Sequence, residues 1–197
     1  MRARWLIIII AVFLGAEPAF AHTGAGVAGG FTAGFMHPLS GLDHLLAMVS
    51  VGIWGAFLGR PLIWALPVAF PLIMVVGGVL GILGIPLPFV EIGVSGSVIA
   101  LGLAIAAAWR APAVIAVAII AVFALFHGHA HGTELPHAAE PAAYASGFVL
   151  ATGLLHVSGI AIGLLLGLPG GTMLLRGAGA MIALAGVWIM AGTLGLA

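Results

Sequence analysis

Residues 61–83, PLIWALPVAFPLIMVVGGVLGIL, decide the fold class of this chain. The stretch has no charged side chain and, at about 1.5 Å of rise per residue, is long enough to cross a bilayer core of roughly 30 Å as one helix. The rest of the chain is similar, since 63% of its 197 residues are hydrophobic, 5% are charged and the mean hydropathy is +1.34. Water-soluble domains do not have this composition, so the sequence predicts an all-α membrane protein.

Apolar stretches of similar length lie on both sides of this one. The predicted spans are 39–59, 61–83, 89–109, 111–130, 142–167 and 172–195. The sequence therefore predicts a bundle of six transmembrane helices, formed by residues 22–197 as one domain. Glycines at four-residue spacing, as in Gly77 and Gly81, allow close helix contacts in lipid, within one chain or between the subunits of a homo-oligomer.

Residues 1–21 have the features of a cleavable signal peptide. Two arginines precede a short apolar run, and Ala19-Phe20-Ala21 supplies the small residues of a cleavage site. An uncleaved first helix is the alternative, but the apolar run is short for a membrane span and is followed by Pro18. Cleavage would make His22 the first residue of the mature chain.

Arginine marks three alternate connections between the predicted spans, at Arg60, Arg110 and Arg176. Positively charged short loops stay in the cytoplasm, so these connections are expected inside, and both the mature N-terminus and the C-terminus in the periplasm. A cleaved signal peptide independently places the mature N-terminus outside. We expect a multi-pass protein of the bacterial inner membrane, surrounded by lipid.

Charge and composition exclude several classes of function. Five basic residues balance five acids, so the chain has no basic field for nucleic acid. Cysteine is absent, and any metal must therefore be held by nitrogen and oxygen. The chain has no G-x-x-x-x-G-K-[ST] loop, so we expect no bound nucleotide. Eight histidines in so apolar a sequence suggest metal binding.

The first polar block is HPLSGLDH at 37–44. Pro38 suits the first turn of a helix, which predicts His37 at the helix cap and Asp43 and His44 inside the span. A membrane aspartate is costly unless it is paired, so Asp43 is either functional or part of a structural pair with a histidine. In one straight helix His37 and His44 would be about 10.5 Å apart along the axis, which favours successive ion sites.

The second polar block is HGHAHGTE at 127–134, at the outer end of the fourth predicted span. In a helix, His127, His131 and Glu134 would share one face. A histidine and a carboxylate one turn apart can bind the same ion, and nitrogen–oxygen ligation suits nickel, cobalt, zinc or copper(II). For His129 and His137 we favour hydrogen-bonded histidines in a solvated loop.

Three further ionisable residues stand apart from these blocks. Glu91 opens the third span, where a carboxylate that stabilises a helix N-terminus is an equally good interpretation. His22, as an N-terminal residue, would offer an amine and an imidazole that can chelate one ion. His156 lies near the middle of the fifth span and requires a partner across a close helix contact.

His156 also suggests two competing functions. Residues 93–96 read G-x-S-G and His156 is followed by glycines three and seven positions later, which resembles rhomboid intramembrane serine proteases. Ser95 would then be the nucleophile, His156 its base and His44 an oxyanion donor. The asparagine usual in that family four residues after the first-helix histidine is Met48 here. A haem protein with His44 and His156 as axial ligands is the other alternative.

The blocks HPLSGLDHLLAMVSVGIWGA at 37–56 and FHGHAHGTELP at 126–136, behind a signal that ends before His22, resemble the HupE/UreJ family over essentially the whole chain. The resemblance implies an inner-membrane permease, not an enzyme, that moves Ni²⁺ or another divalent transition metal inward for hydrogenase or urease maturation. The His-x5-Asp-His spacing is similar to the His-x4-Asp-His signature of nickel/cobalt permeases, with one residue more. The metal-handling residues that it implies are His37, Asp43, His44, Glu91, His131 and Glu134, with Phe70 as a pathway-lining aromatic.

Overall fold

The structure is a computed structural model that describes residues 30–134 and 141–196. The predicted signal peptide, His22 and His137 lie outside these residues. Every regular element in the described part of the chain is helical. The helices are α1 Phe31–Ser40, α2 Leu42–Leu58, α3 Leu62–Ile82, α4 Val90–Ala106, α5 Ala113–Glu134, α6 Pro141–Gly163 and α7 Gly171–Thr193, with a 3-10 turn Leu164–Gly167 after α6.

Four of these helices are long and apolar enough to cross a membrane: α3, α5, α6 with its 3-10 extension, and α7. Helices α1 and α2 together form a fifth candidate, bent by 81°. Helix α4 is apolar but has only 17 residues, a length of about 25 Å. The expectation of an all-α, multi-pass membrane protein is confirmed. Six spans require both the bent pair and α4 to cross, and that count remains a prediction.

The first predicted span is broken at Gly41. Helix α1 ends at Ser40, α2 begins at Leu42, and Gly41 between them is extended, with φ −82° and ψ 114°. The Gly41 N–H and the Ser40 hydroxyl both donate to the His37 carbonyl, at 3.2 and 2.9 Å, and so close the end of α1. Pro38 therefore lies in the last turn of α1, and the prediction that it starts a span with His37 at the cap is wrong.

Small residues set the closest helix contacts. A Cβ at Gly128 of α5 would overlap a carbonyl of α3, and a Cβ at Gly52 of α2 would overlap the His156 carbonyl of α6. The predicted glycine pair, Gly77 and Gly81, packs against α5 in the same way. Helix α3 thus pairs with α5 and α2 with α6, while α4 pairs with α7. Without a hydrophobic drive between helices in lipid, such close backbone packing holds the bundle together.

The two ends of the bundle carry opposite charges. Arg60 and Arg110 lie in the α2–α3 and α4–α5 connections, and Arg176 of α7 donates from Nε to the Ala106 carbonyl at 2.7 Å, where α4 ends. The acids among the described residues are Asp43, Glu91 and Glu134. They belong to the opposite ends of the helices, at the starts of α2 and α4 and at the end of α5. About 25 Å of helix therefore separates the acids from the arginines.

Candidate metal centre

The break at Gly41 brings His37 of α1 beside helix α5. The ring centroids of His37 and His131 are 4.9 Å apart, and those of His37 and His44 are 6.1 Å apart. The expectation of successive sites assumed one straight helix, and that assumption is wrong. The bend lets both imidazoles of the first polar block border the same space.

His37, His131 and Glu134 form a compact cluster. One ligand atom from each lies within 4.8 Å of the others. The His37 Nε2 and His131 Nδ1 atoms are 3.7 and 3.9 Å from the same Glu134 oxygen, Oε2. Metal bonds of about 2.0–2.2 Å place neighbouring ligand atoms about 3 Å apart, so small side-chain movements would close this cluster around an ion.

Asp43 and His44 form a pair at the start of α2. Asp43 Oδ1 accepts the backbone N–H of His44 at 2.7 Å and its ring Nδ1–H at 2.8 Å. Because a carboxylate only accepts, the His44 lone pair is on Nε2, which is buried and has no hydrogen-bond partner in 30–134 or 141–196. Asp43 lies in the first turn of α2, which begins after the break, and not inside one continuous span as predicted.

Gly41 leaves room for the Asp43–His44 pair. A Cβ at this position would lie 3.0 Å from Asp43 Oδ1 and 3.3 Å from His44 Nδ1. Both distances are shorter than ordinary van der Waals contact. The residue that breaks the helix therefore also permits the carboxylate to fold back onto the imidazole.

These side chains border one small cavity of about 20 Å³. Such a volume holds about one water molecule or one ion. Its lining residues are His37, Asp43, His44, Glu91, Val94, Ala130, His131 and Glu134. The structure thus brings together, from α1, α2, α4 and α5, all six residues that the family resemblance implies for metal handling.

His127 lies one turn deeper on α5 and is fully buried. Its ring centroid is 4.7 Å from that of His44, and His131 also contacts His44, so both histidines face the same side of α5, as their spacing predicts. The Ser97 hydroxyl donates to the Val94 carbonyl at 2.6 Å and therefore accepts from His127 Nε2–H at 2.9 Å. The His127 lone pair is on Nδ1, which has no partner among the described residues.

Aromatic side chains enclose the histidines. Tyr144 and Phe148 of α6 each lie 6.0 Å from His37 between ring centroids, and Phe148 lies 4.2 Å from His131. Phe70 is fully buried and contacts the His127 ring. The sequence does not predict these roles for Tyr144, Phe148 and Ser97, because an aromatic ring or a lone hydroxyl in an apolar helix gives no signal of its own.

His129 does not belong to a solvated loop, and that expectation is wrong. Helix α5 continues to Glu134, and His129 is 6% exposed. Its Nε2–H donates to the Ile85 carbonyl at 2.8 Å, which ties α5 to the α3–α4 connection. His129 does not line the cavity. The expected hydrogen-bonding role thus holds, in a buried setting.

The geometry does not favour the protease or the haem alternative. Ser95 Oγ donates to the Glu91 carbonyl at 2.7 Å within α4, and no hydrogen bond joins Ser95 to His156 within the part of the chain that the structure describes. For haem, His127 and Phe70 pack between His44 and His156, since His127 contacts His44 and Phe70 contacts both His127 and His156. These rings fill the space that a macrocycle would need.

Comparisons with known proteins identify similar sequences. The family described as HupE / UreJ protein matches residues 10–189. The chain is 45% identical over 178 residues to protein HupE of Rhizobium leguminosarum bv. viciae, an alignment that covers 90% of this chain and 93% of that protein. No solved structure matches the chain significantly. The resemblance that the two polar blocks indicate is confirmed.

Proposed function

The chain belongs to the HupE/UreJ protein family, and from this premise we propose that it is an inner-membrane permease for a divalent transition-metal ion, with nickel as the best candidate. The ion is the substrate and not a resident cofactor. No covalent step and no nucleotide takes part. The imported metal would serve the maturation of a metalloenzyme such as hydrogenase or urease.

One observation carries this proposal: six imidazole and carboxylate side chains from four helices border a cavity about the size of one ion. The cluster of His37, His131 and Glu134, here called the outer cluster, supplies two nitrogens and an oxygen within 4.8 Å. Asp43 orients His44 so that its Nε2 lone pair is available as a further ligand. In a membrane interior so many polar groups are costly, and a transported ion accounts for them together.

The ligand chemistry limits the choice of ion. Imidazole and carboxylate groups without thiolates suit nickel, cobalt, zinc and copper(II), and they disfavour copper(I). The preference for nickel within this group comes from family membership. Ligation without thiolates also suits transport, because a site that binds too tightly would trap the ion.

The charge distribution supports inward movement. If the arginine end faces the cytoplasm, as the positive-inside rule expects, the cavity lies near the periplasmic side. The ion would then meet His37, His131 and Glu134 first, lose water, and pass to His44 and His127. His22, outside the described residues, would add a capture site at the mature N-terminus. In this orientation six spans leave both termini in the periplasm.

The test is uptake of radioactive nickel by cells that express the full chain. We expect His131→Gln and Glu134→Gln to lower uptake at least about tenfold, because each removes one ligand of the outer cluster. His129→Gln is the matched control: this histidine is equally buried on the same helix but lies outside the cavity. An excess of unlabelled cobalt, zinc or copper(II), added separately, identifies the preferred ion.

Two results would contradict the proposal. One is normal nickel uptake by both cavity variants at wild-type levels of membrane protein. The other is an equal loss in His129→Gln, because that would indicate general damage to α5. Competition by another ion at much lower concentration than nickel would retain the permease and change its substrate.

A further inference from the structure

His156 on α6 has one ring nitrogen inside the bundle that makes no hydrogen bond within the described residues. The side chain is 1% exposed. Its Nδ1–H donates to the Pro67 carbonyl of α3 at 3.2 Å. A carbonyl only accepts, so the lone pair is on Nε2. That atom is buried and has no hydrogen-bond partner among the described residues.

The acceptor for His156 exists because of a proline. In an α-helix the carbonyl of residue 67 accepts the N–H of residue 71, and residue 71 is Pro71, which has none. His156 takes the place of the missing donor and joins α6 to α3. Histidines that bind metals are commonly held in this way, by a backbone carbonyl on one ring nitrogen while the other faces the ion.

Two buried hydroxyls, one on α2 and one on α6, also lack partners. Ser95 and Ser97 donate to carbonyls of their own helix, whereas Ser50 and Thr152, both 0% exposed, make no hydrogen bond within the described ranges. Thr152 lies one turn before His156 on the same face of α6. A buried polar group without a protein partner can be satisfied by a water molecule or by a bound ion.

A continuous line of aromatic and imidazole rings connects His156 to the cavity of about 20 Å³ described above, here called the outer cavity. The ring centroids of His44 and His127 are 4.7 Å apart, those of His127 and Phe70 are 5.6 Å apart, and those of Phe70 and His156 are 5.5 Å apart. Phe70 thus contacts both His127 and His156. Each of these histidines has its lone pair on a nitrogen without a partner in the described chain.

We propose that His156, with the hydroxyl of Thr152, forms a second, inner station for the transported divalent ion, separated from the outer cavity by Phe70. The proposal rests on the proposed function and extends its path towards the arginine end. The inner station contains no carboxylate, so it binds the ion more weakly than the outer cluster and favours release. Pro71 is a positioning residue, since it leaves the Pro67 carbonyl open for His156.

Equilibrium binding of radioactive nickel to the purified full chain tests the station apart from transport. We expect about two ions per chain at saturation in the wild type and about one in His156→Gln, which loses the weaker class of sites. His131→Gln loses the tighter class instead. His129→Gln, whose ring also donates to a backbone carbonyl, should keep both classes. In vesicles that contain the protein, His156→Gln should lower nickel uptake about tenfold.

Pro71→Ala provides a test that leaves every ligand in place. Alanine returns the N–H that competes with His156 for the Pro67 carbonyl. We expect weaker nickel binding at the inner station only, with binding at the tighter class of sites unchanged. Loss of both classes would mean general disruption of α3 and would count against the positioning role.

The inner station is overturned if wild type and His156→Gln bind the same number of ions with the same affinities and take up nickel equally. The proposed function then stands on the outer cavity alone. A wild-type chain that neither binds nor takes up nickel or a competing divalent ion overturns both proposals. Two classes of sites, of which His156→Gln removes only the weaker, support both.

Discussion

At the scale of single residues, hydrogen-bond acceptors decide what the histidines can do. Asp43, Ser97 and the Pro67 carbonyl each accept one ring N–H, from His44, His127 and His156 respectively. Each bond leaves a lone pair on the other ring nitrogen. The acceptor thereby determines which nitrogen of each ring faces the path.

Ser97→Ala tests this effect against a matched serine. The change removes the acceptor of His127 Nε2–H and leaves a buried donor unsatisfied, which costs about 1–3 kcal/mol of stability. We expect nickel uptake to fall about tenfold because the ring loses its orientation. Ser95→Ala is the control, since Ser95 is buried on the same helix but accepts no histidine N–H in the described residues.

The outcomes separate three interpretations. Equal uptake by Ser97→Ala and wild type contradicts the orienting role of Ser97. A loss confined to Ser95→Ala, together with reaction of Ser95 with a serine-hydrolase probe, would instead revive the protease alternative. Membrane levels of each variant, measured by immunoblot, exclude a simple loss of protein.

At the scale of elements, the break between α1 and α2 builds the cavity. The 81° bend carries His37 to α5, and the absence of a side chain at Gly41 leaves room for Asp43 against His44. Pro38 lies within α1, where its missing N–H leaves a carbonyl one turn earlier without its usual donor. The break therefore shapes the site and is more than an irregular entry to a span.

Gly41→Ala tests the space that the break provides. The backbone at Gly41 has ordinary dihedral angles, so alanine adds only a methyl group, 3.0 Å from Asp43 Oδ1. We expect the carboxylate to move off His44 and nickel affinity, measured by calorimetry on purified protein, to fall about tenfold. Gly153→Ala is the control, because a Cβ there meets nothing within 4 Å. Unchanged affinity in Gly41→Ala would show that the pair tolerates the methyl group.

At the scale of the whole molecule, charge separates the two ends of the bundle. Among the described residues the arginines lie at one end and the acids and the cavity at the other. Between these ends the outer surface is apolar, as in Val114 and Met173, which are 81% and 80% exposed. Such a surface suits lipid, and the charge difference provides the signal for orientation.

Single cysteines can test the orientation, because the natural chain has none. Ile85 lies in the α3–α4 connection at the cavity end and Leu168 before α7 at the arginine end, and both are exposed. We expect a membrane-impermeant maleimide to label Ile85→Cys in intact spheroplasts and Leu168→Cys only after permeabilisation. The reverse pattern would place the cavity in the cytoplasm and overturn inward transport.

Much of the fold was predictable because a backbone that crosses lipid must satisfy its own hydrogen bonds. Helices satisfy their own hydrogen bonds, so apolar runs such as 61–83 predict α3 nearly to its ends. The family resemblance predicted the six ionisable residues that line the cavity. Local spacing also predicted that His127 and His131 share one face of α5.

The sequence by itself thus determined that the chain lies in lipid, that it is helical, and which residues are candidate metal ligands. Composition and local periodicity express these properties directly. Only the tertiary structure decided that Gly41 breaks the first span, that His37 meets Glu134 across the bundle, and that Ser97 and the Pro67 carbonyl orient distant histidines. The physical reason is that these contacts join residues on different helices. Their geometry depends on how whole helices pack, and no short stretch of sequence records it.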